Sequence, residues 1–326
     1  MQSRLSFLSF LLLHTAAGYI LPNPPGRYNV TLATGTITDY NRDARTLMLS
    51  VFQPATCAST VPKVFNISVD LTPLFLDARL PVCPDDPRSC PPLDDAPILL
   101  LSPGYRGSRL YYSVMASAIA SEGFTLTPYA YARAADASFI IDQLSNATAM
   151  AELLPQHGPR HGPRQFSNDR VAMLGHSLGG ASAVLAAGQD PRIRAAINWD
   201  GPFFGSLPPS GLSQPVLYVT TEHEDYPSWL ALWQELKGPK LWIKIASLLH
   251  EGMLDLSVLL QAAGQDTEYF ADLLGRVAPT ELVHIMTAYA AEWMNGAFAG
   301  EVGGSLLQGQ EPDRFPEVST VRKDNF

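Results

Sequence analysis

Between Ala96 and Ser247 the chain repeats one pattern, a short apolar run, a turn, then a helical stretch. The runs are "APILLLSPG", "FTLTPYAYA", "RVAMLGHS", "IRAAINWDG", "PVLYVTTE" and "KLWIKIAS", with helical stretches at 110–121, 135–154, 178–188 and 227–237. Strands joined through crossover helices run parallel, and strands that are apolar throughout need cover on both faces. The expectation is an α/β fold with a mostly parallel twisted sheet and helices on both faces. Upstream, residues 28–52 read as two antiparallel strands: "YNVTLATGTITDY" alternates and "TLMLSVFQP" stops at a proline. Residues 53–97 are proline-rich and read as loop, while 252–264 and 279–299 read as further helices. A length of 326 residues gives ample surface to bury, and one domain is expected over 19–300. The polar stretch 301–326 is expected to be a loose tail.

One turn in this pattern points to chemistry. "VAMLGHSLGGASAVLAAG" places Ser177 between Gly175 and Gly179 where a strand becomes a helix. Such a nucleophile elbow strains the serine backbone, and the flanking glycines let the chain crowd together. Gly and Ser are also ordinary turn residues, so the other strand ends must support the reading. Open parallel sheets bind ligands at the carboxyl ends of their strands. Asp200 ends the next strand, in "INWDG", and His250 follows the last, giving the chain order Ser, Asp, His. In that reading Ser177 is the nucleophile, His250 the general base and Asp200 the group that fixes the imidazole tautomer. Glu222 and Asp225, after the following strand, are rival acids. His176 is expected to point away from its neighbour Ser177 at the turn, and His157 and His161 fall in the tandem repeat "HGPRHGPR", read as a surface loop. The backbone N–H groups of Leu178 and of Tyr105, in "SPGYRG", are the expected oxyanion donors. Phe203 and Phe204, in "GPFFGSLPPSGL", are candidate walls of an acyl pocket, with packing under a helix as the alternative. Two antiparallel strands followed by six parallel ones, with this triad order, is the layout of an α/β-hydrolase sheet.

The ends and composition bound the setting. "MQSR", the apolar run Leu5–Leu13 and "HTAAG" read as a secretory signal peptide over 1–18. Net charge is −9, with no long basic run, which argues against nucleic acid and against charge-driven binding to an anionic membrane. Asn29, Asn66 and Asn146 head glycosylation triplets. Cys57, Cys83 and Cys90 lie in one window, where an oxidising compartment would pair two and leave one over. No His shares that window, which weighs against zinc.

These residues resemble the secreted type of the platelet-activating factor acetylhydrolase family, from about Leu99 to Ala299. The matching pieces are "SPGYRGSRLYYSVMASAIASEGF", "GHSLGGASAVLAAGQDPRIRAAINWDGPFF", "TTEHEDYP" and "HEGMLDLS". In that family the acid follows the strand after the nucleophile strand, as Asp200 does, and the histidine opens a segment like "HEGMLD". The resemblance implies the α/β-hydrolase fold, no metal or other cofactor, and phospholipid substrates with a short or oxidised sn-2 acyl group. It also allows contact with a lipid surface. "SPGY" is also similar to secreted polyester hydrolases and cutinases, whose acid lies one strand later. A cutinase-like or general carboxylesterase is therefore the alternative, and an inactive binding protein on the same fold is a third reading.

Overall fold

A computed structural model describes residues 19–57, 60–64, 78–84, 90–129, 134–154, 165–222 and 226–326. The chain runs through β1 (Tyr19–Ile20), β2 (Asn29–Asp39), β3 (Arg45–Ala55), β4 (Val61–Val64), β5 (Ala78–Val82), β6 (Ile98–Ser102), α1 (Ser113–Ser121) and β7 (Thr125–Pro128). It continues with α2 (Ala134–Leu144), α3 (Ala147–Leu153), β8 (Val171–His176), α4 (Leu178–Gln189), β9 (Ile193–Trp199), β10 (Val216–Thr220) and α5 (Pro227–Glu235). β11 (Lys240–Ile245), α6 (Leu256–Ala262), α7 (Pro279–Ala299) and β12 (Val318–Asp324) complete it.

Nine strands form the main sheet in the order β12-β11-β10-β9-β8-β6-β7-β3-β2. The six strands from β7 to β11 pair in parallel, and β2, β3 and β12 add antiparallel edges. The α/β expectation holds. Side chains alternate along each buried strand, so one core forms on each face. Leu99 and Leu101 of β6 join α1, α6 and α7 on one face. Ile98 and Leu100 join α2, α4 and α5 on the other. A helical span expected over 135–154 is two helices: Asn146 Oδ1 accepts the N–H of Thr148 and Ala149 and so starts α3 afresh. The triplet at Asn146 thus sits on an exposed helix cap.

Two expectations need correction. The stretch 301–326 is not a loose tail. Leu306, Leu307 and Phe315 are buried in the core, and β12 pairs antiparallel with β11 from Ile245↔Val318 to Lys240↔Asp324. Its side chains face solvent on an edge, where Arg322, Lys323 and Asp324 discourage further pairing, so it lacks the apolar pattern that marks a strand. The proline-rich 53–97 region is not all loop, since β1, β5 and β4 form a small second sheet. There the sulfurs of Cys57, Cys83 and Cys90 lie within 4.8 Å of one another, so Cys57 is placed to pair with either of the other two. One sulfur pairs with one partner at a time, so the three-thiol arrangement leaves one cysteine over.

The sheet order positions the site. From β6 the chain steps outward to β7, then crosses back to β8 and proceeds the other way through β9, β10 and β11. The switch lies between β6 and β8, and the loops leaving these two strands diverge onto opposite faces. A crevice opens at the carboxyl ends of strands at such a point. Asp255 ties together two of the segments that follow strands of this sheet. Its carboxylate accepts the N–H groups of Val114 (2.6 Å) and Met115 (3.1 Å) at the start of α1, tying the segment after His250 to the one after Tyr105.

Candidate active site

Ser177 stands between β8 and α4 with φ 57° and ψ −125°, a conformation that costs a non-glycine residue on the order of 1–3 kcal/mol. The surroundings enforce it. A Cβ on Gly179 would run into the carbonyl oxygens of Ser102 and Pro103, and one on Gly175 would strike the backbone of Gly179. The motif glycines are therefore required by backbone packing around the elbow. Ser177 N–H is held by the Trp199 carbonyl at 2.8 Å, and its side chain is half-buried at the crevice.

Asp200 follows β9 with φ 53° and is fully buried. Its Oδ2 accepts from His250 Nδ1 at 2.6 Å, and the His250 ring remains 34 % exposed. Thr221, the residue after β10, completes the acid's shell: its N–H reaches Asp200 Oδ1 at 3.1 Å and its hydroxyl reaches Oδ2 at 2.9 Å. With Nδ1 committed to Asp200, His250 presents Nε2 outward, the geometry of an oriented base. Among the described residues no hydrogen bond joins Ser177 Oγ to His250. Such contacts are often loose without substrate and tighten on binding.

The expected oxyanion donors flank this point. Leu178 opens α4, so its N–H has no carbonyl one turn back within the helix. Tyr105 N–H enters no hydrogen bond among the described residues, and its loop abuts Ser177: a Cβ at Gly104 would lie 3.2 Å from Ser177 Cβ. The Tyr105 ring is 71 % exposed. Phe203 and Phe204 part company. Phe203 packs half-buried against the core, with its N–H on Ser228 Oγ, while Phe204 is 65 % exposed.

The rivals do other work or fall outside view. Glu222 accepts the N–H of Ser247, a positive-φ residue in the turn leading to His250. Asp225, the 157–164 repeat, the Asn66 triplet and the 1–18 leader lie outside the described residues. His284 is exposed on α7.

Sequence reasoning missed three groups. His176 packs beside the site: its ring centroid lies 4.5 Å from that of His250. Burial, with His250 adding to it, lowers its pKa to about 3, so it is neutral at working pH. Tyr112 is bonded to His176 Nδ1 at 2.9 Å. Thr221 is the third. Only its place directly after a strand could have flagged it.

No protein-family model matches the chain. It is 27 % identical to a "Probable 1-alkyl-2-acetylglycerophosphocholine esterase" of Arthroderma benhamiae over a 370-position alignment, covering 93 % of this chain and 94 % of that protein. It is 29 % identical over 97 residues to a "Platelet-activating factor acetylhydrolase" of Bos taurus, a match to 28 % of this chain and 22 % of the bovine protein. Among solved structures, a ferulic acid esterase from Streptomyces cinnamoneus superposes with TM-score 0.75 at 22 % identity, covering 94 % of this chain and 100 % of that one. That likeness carries the fold, and the sequence relationships carry the reaction class. The chain is a carboxylic ester hydrolase of α/β-hydrolase fold, similar to the platelet-activating factor acetylhydrolase family.

Proposed function

We propose that the protein is a secreted serine esterase that removes a short or oxidised sn-2 acyl group from phospholipids, with Ser177, His250 and Asp200 as its triad. The observation that carries the triad is the 2.6 Å bond from His250 Nδ1 to the buried Asp200, beside a serine held in a strained elbow. The full-length similarity to a protein named as an acetylglycerophosphocholine esterase supports the substrate class. Ser177 Oγ attacks the ester carbonyl carbon as His250 Nε2 takes its proton. The carbonyl oxygen becomes an oxyanion facing the N–H groups of Tyr105 and Leu178. The tetrahedral adduct collapses, the C–O bond breaks, and His250 returns the proton to the departing glycerol oxygen. Water, deprotonated by His250, then attacks the acyl-Ser177 ester, and as the acyl C–O bond breaks His250 returns that proton to Ser177 Oγ and the carboxylic acid is freed. Asp200 stays ionised throughout and supports the imidazolium.

Secretion is part of the proposal. It rests on the signal-like segment 1–18 and on the cluster of Cys57, Cys83 and Cys90, which an oxidising compartment would let pair. A second reading, a cutinase-like or general carboxylesterase, draws on the open rim: Tyr105 and Phe204 stand largely exposed, leaving room for a bulky ester. Assaying an acetyl phospholipid, a soluble short-chain ester and a polyester film side by side separates the two. A kcat/KM highest for the acetyl phospholipid supports the first, and polyester hydrolysis with an inert phospholipid overturns it.

A further inference from the structure

Tyr112 lies under the crevice, fully buried, in the short helical turn that precedes α1. Its hydroxyl oxygen lies 3.1 Å from the Gly104 nitrogen and 2.9 Å from His176 Nδ1. The roles follow from valence. Gly104 N–H is a donor, so the phenolic oxygen accepts there. The phenol carries its own proton, since burial raises its pKa far above neutral, and that proton needs an acceptor. Neutral His176 supplies one at Nδ1, which places the imidazole proton on Nε2.

This one hydroxyl therefore touches both halves of the crevice. Gly104 immediately precedes Tyr105, the donor on the β6 side. His176 immediately precedes Ser177 and lies two residues before Leu178, the donor on the β8 side. These two strands are adjacent but leave the sheet in different directions, so their loops need a tie at the sheet's end. The backbones meet closely there: a Cβ at Gly104 would lie 3.4 Å from His176 Nδ1 and 3.6 Å from the His176 carbonyl oxygen.

We propose that Tyr112 is a positioning residue, whose hydroxyl ties the loop after β6 to the nucleophile turn and so sets the spacing of the two oxyanion donors. The inference rests on the serine-esterase reading above. It follows that the tie acts on the tetrahedral state more than on bound ester. An oxyanion hole works because its donors are already placed where charge develops, and a donor lost from one costs roughly 10²–10³ in kcat. A donor loosened but not removed costs less, about 10–100-fold.

Tyr112→Phe keeps the ring and removes the tie. We expect kcat for a soluble acetyl ester to fall about 10–100-fold while KM stays within about threefold, and affinity for a trifluoromethyl ketone, which forms a tetrahedral adduct on the serine, to fall in step with kcat/KM. His176→Asn keeps an acceptor for the phenol and should remain within about threefold of the parent, whereas His176→Leu should fall like Tyr112→Phe. The double variant Tyr112→Phe/His176→Leu should be no worse than Tyr112→Phe alone, since both remove one tie. Parent-like kcat and ketone affinity in folded Tyr112→Phe would overturn the proposal. So would a fall in kcat that leaves ketone affinity unmoved. If Tyr112→Phe does not fold, the comparison of His176→Asn with His176→Leu decides, and equal activities overturn it. Ser177→Ala runs in parallel. Its retained activity would bring down the Ser177 triad on which the proposal rests, whereas an inactive Ser177→Ala beside a parent-like Tyr112→Phe sinks only the tie.

Discussion

Thr221 Oγ1 donates to Asp200 Oδ2 at 2.9 Å, the same oxygen that receives His250 Nδ1. The hydroxyl and the imidazole thus fix the carboxylate from two sides, and the Thr221 N–H holds the other oxygen. Hydrogen bonds to a charged group contribute about 1.5–3 kcal/mol. Thr221→Val removes the hydroxyl while keeping the shape and the N–H. Steady-state kinetics should show kcat reduced roughly 10-fold with KM little changed. Parent-like kcat would mean that the strand and backbone alone orient Asp200.

The proposed acid is itself more demanding. Asp200→Asn leaves the shell in place but offers His250 an amide that favours the wrong tautomer, and kcat should drop about 10⁴-fold. Glu222→Gln should stay within about tenfold, because among the described residues the Glu222 side chain bonds the turn at Ser247 and not His250. A severe loss at Glu222 beside a mild one at Asp200 would move the acid to the next strand.

His176 gives a pH signature in stability. Its folded pKa is lowered from 6.5 to about 3, mainly by burial. Between those values the unfolded chain binds the extra proton, so this contribution is complete above pH 6.5 and is lost as pH falls toward 3. Buried Asp255, raised to about 8, acts with the opposite sign, but it is shared by parent and variant. The melting temperature of His176→Asn should therefore gain on that of the parent as pH is lowered from 7 to 4.5. A constant difference across that range would contradict the buried, neutral assignment.

Phe204 bears on acyl length. It is exposed on the loop after Asp200, so Phe204→Ala should leave the melting temperature near that of the parent. If its ring limits pocket depth, the variant should raise kcat/KM for longer acyl chains relative to acetyl, since each methylene admitted is worth about 1 kcal/mol. A chain-length series at sub-micellar concentration reads this, and an unchanged profile places Phe204 outside the pocket. Phe203→Ala should instead cost stability, roughly 1–3 kcal/mol, because that ring packs on the core.

What the sequence revealed depended on periodicity and chain order. The strand–helix alternation from Ala96 predicts the parallel strands because apolar runs and helical stretches are local signals, and 279–299 matches α7. Asp200 and His250 could be picked out because this fold places them after strand ends, here β9 and β11, and the two are hydrogen-bonded. β12 escaped because an exposed edge strand carries charge where the pattern needs apolar residues. β4 and β5 escaped because prolines mask a short sheet as loop. Tyr112, His176 and Thr221 escaped for another reason. Their partners are distant in sequence (Tyr112 and His176 are 64 residues apart), and no local spacing encodes such a meeting.

The central claim is that Ser177 is the nucleophile. A fluorophosphonate probe on the full-length protein, with acetyl-ester turnover measured in the same samples, tests it most directly. The parent should label at one site and lose activity in proportion to labelling. Ser177→Ala should keep the parent's fold by circular dichroism, take no label, and lose about 10⁶-fold in kcat. Labelling that persists in Ser177→Ala, or turnover within tenfold of the parent, would contradict the account.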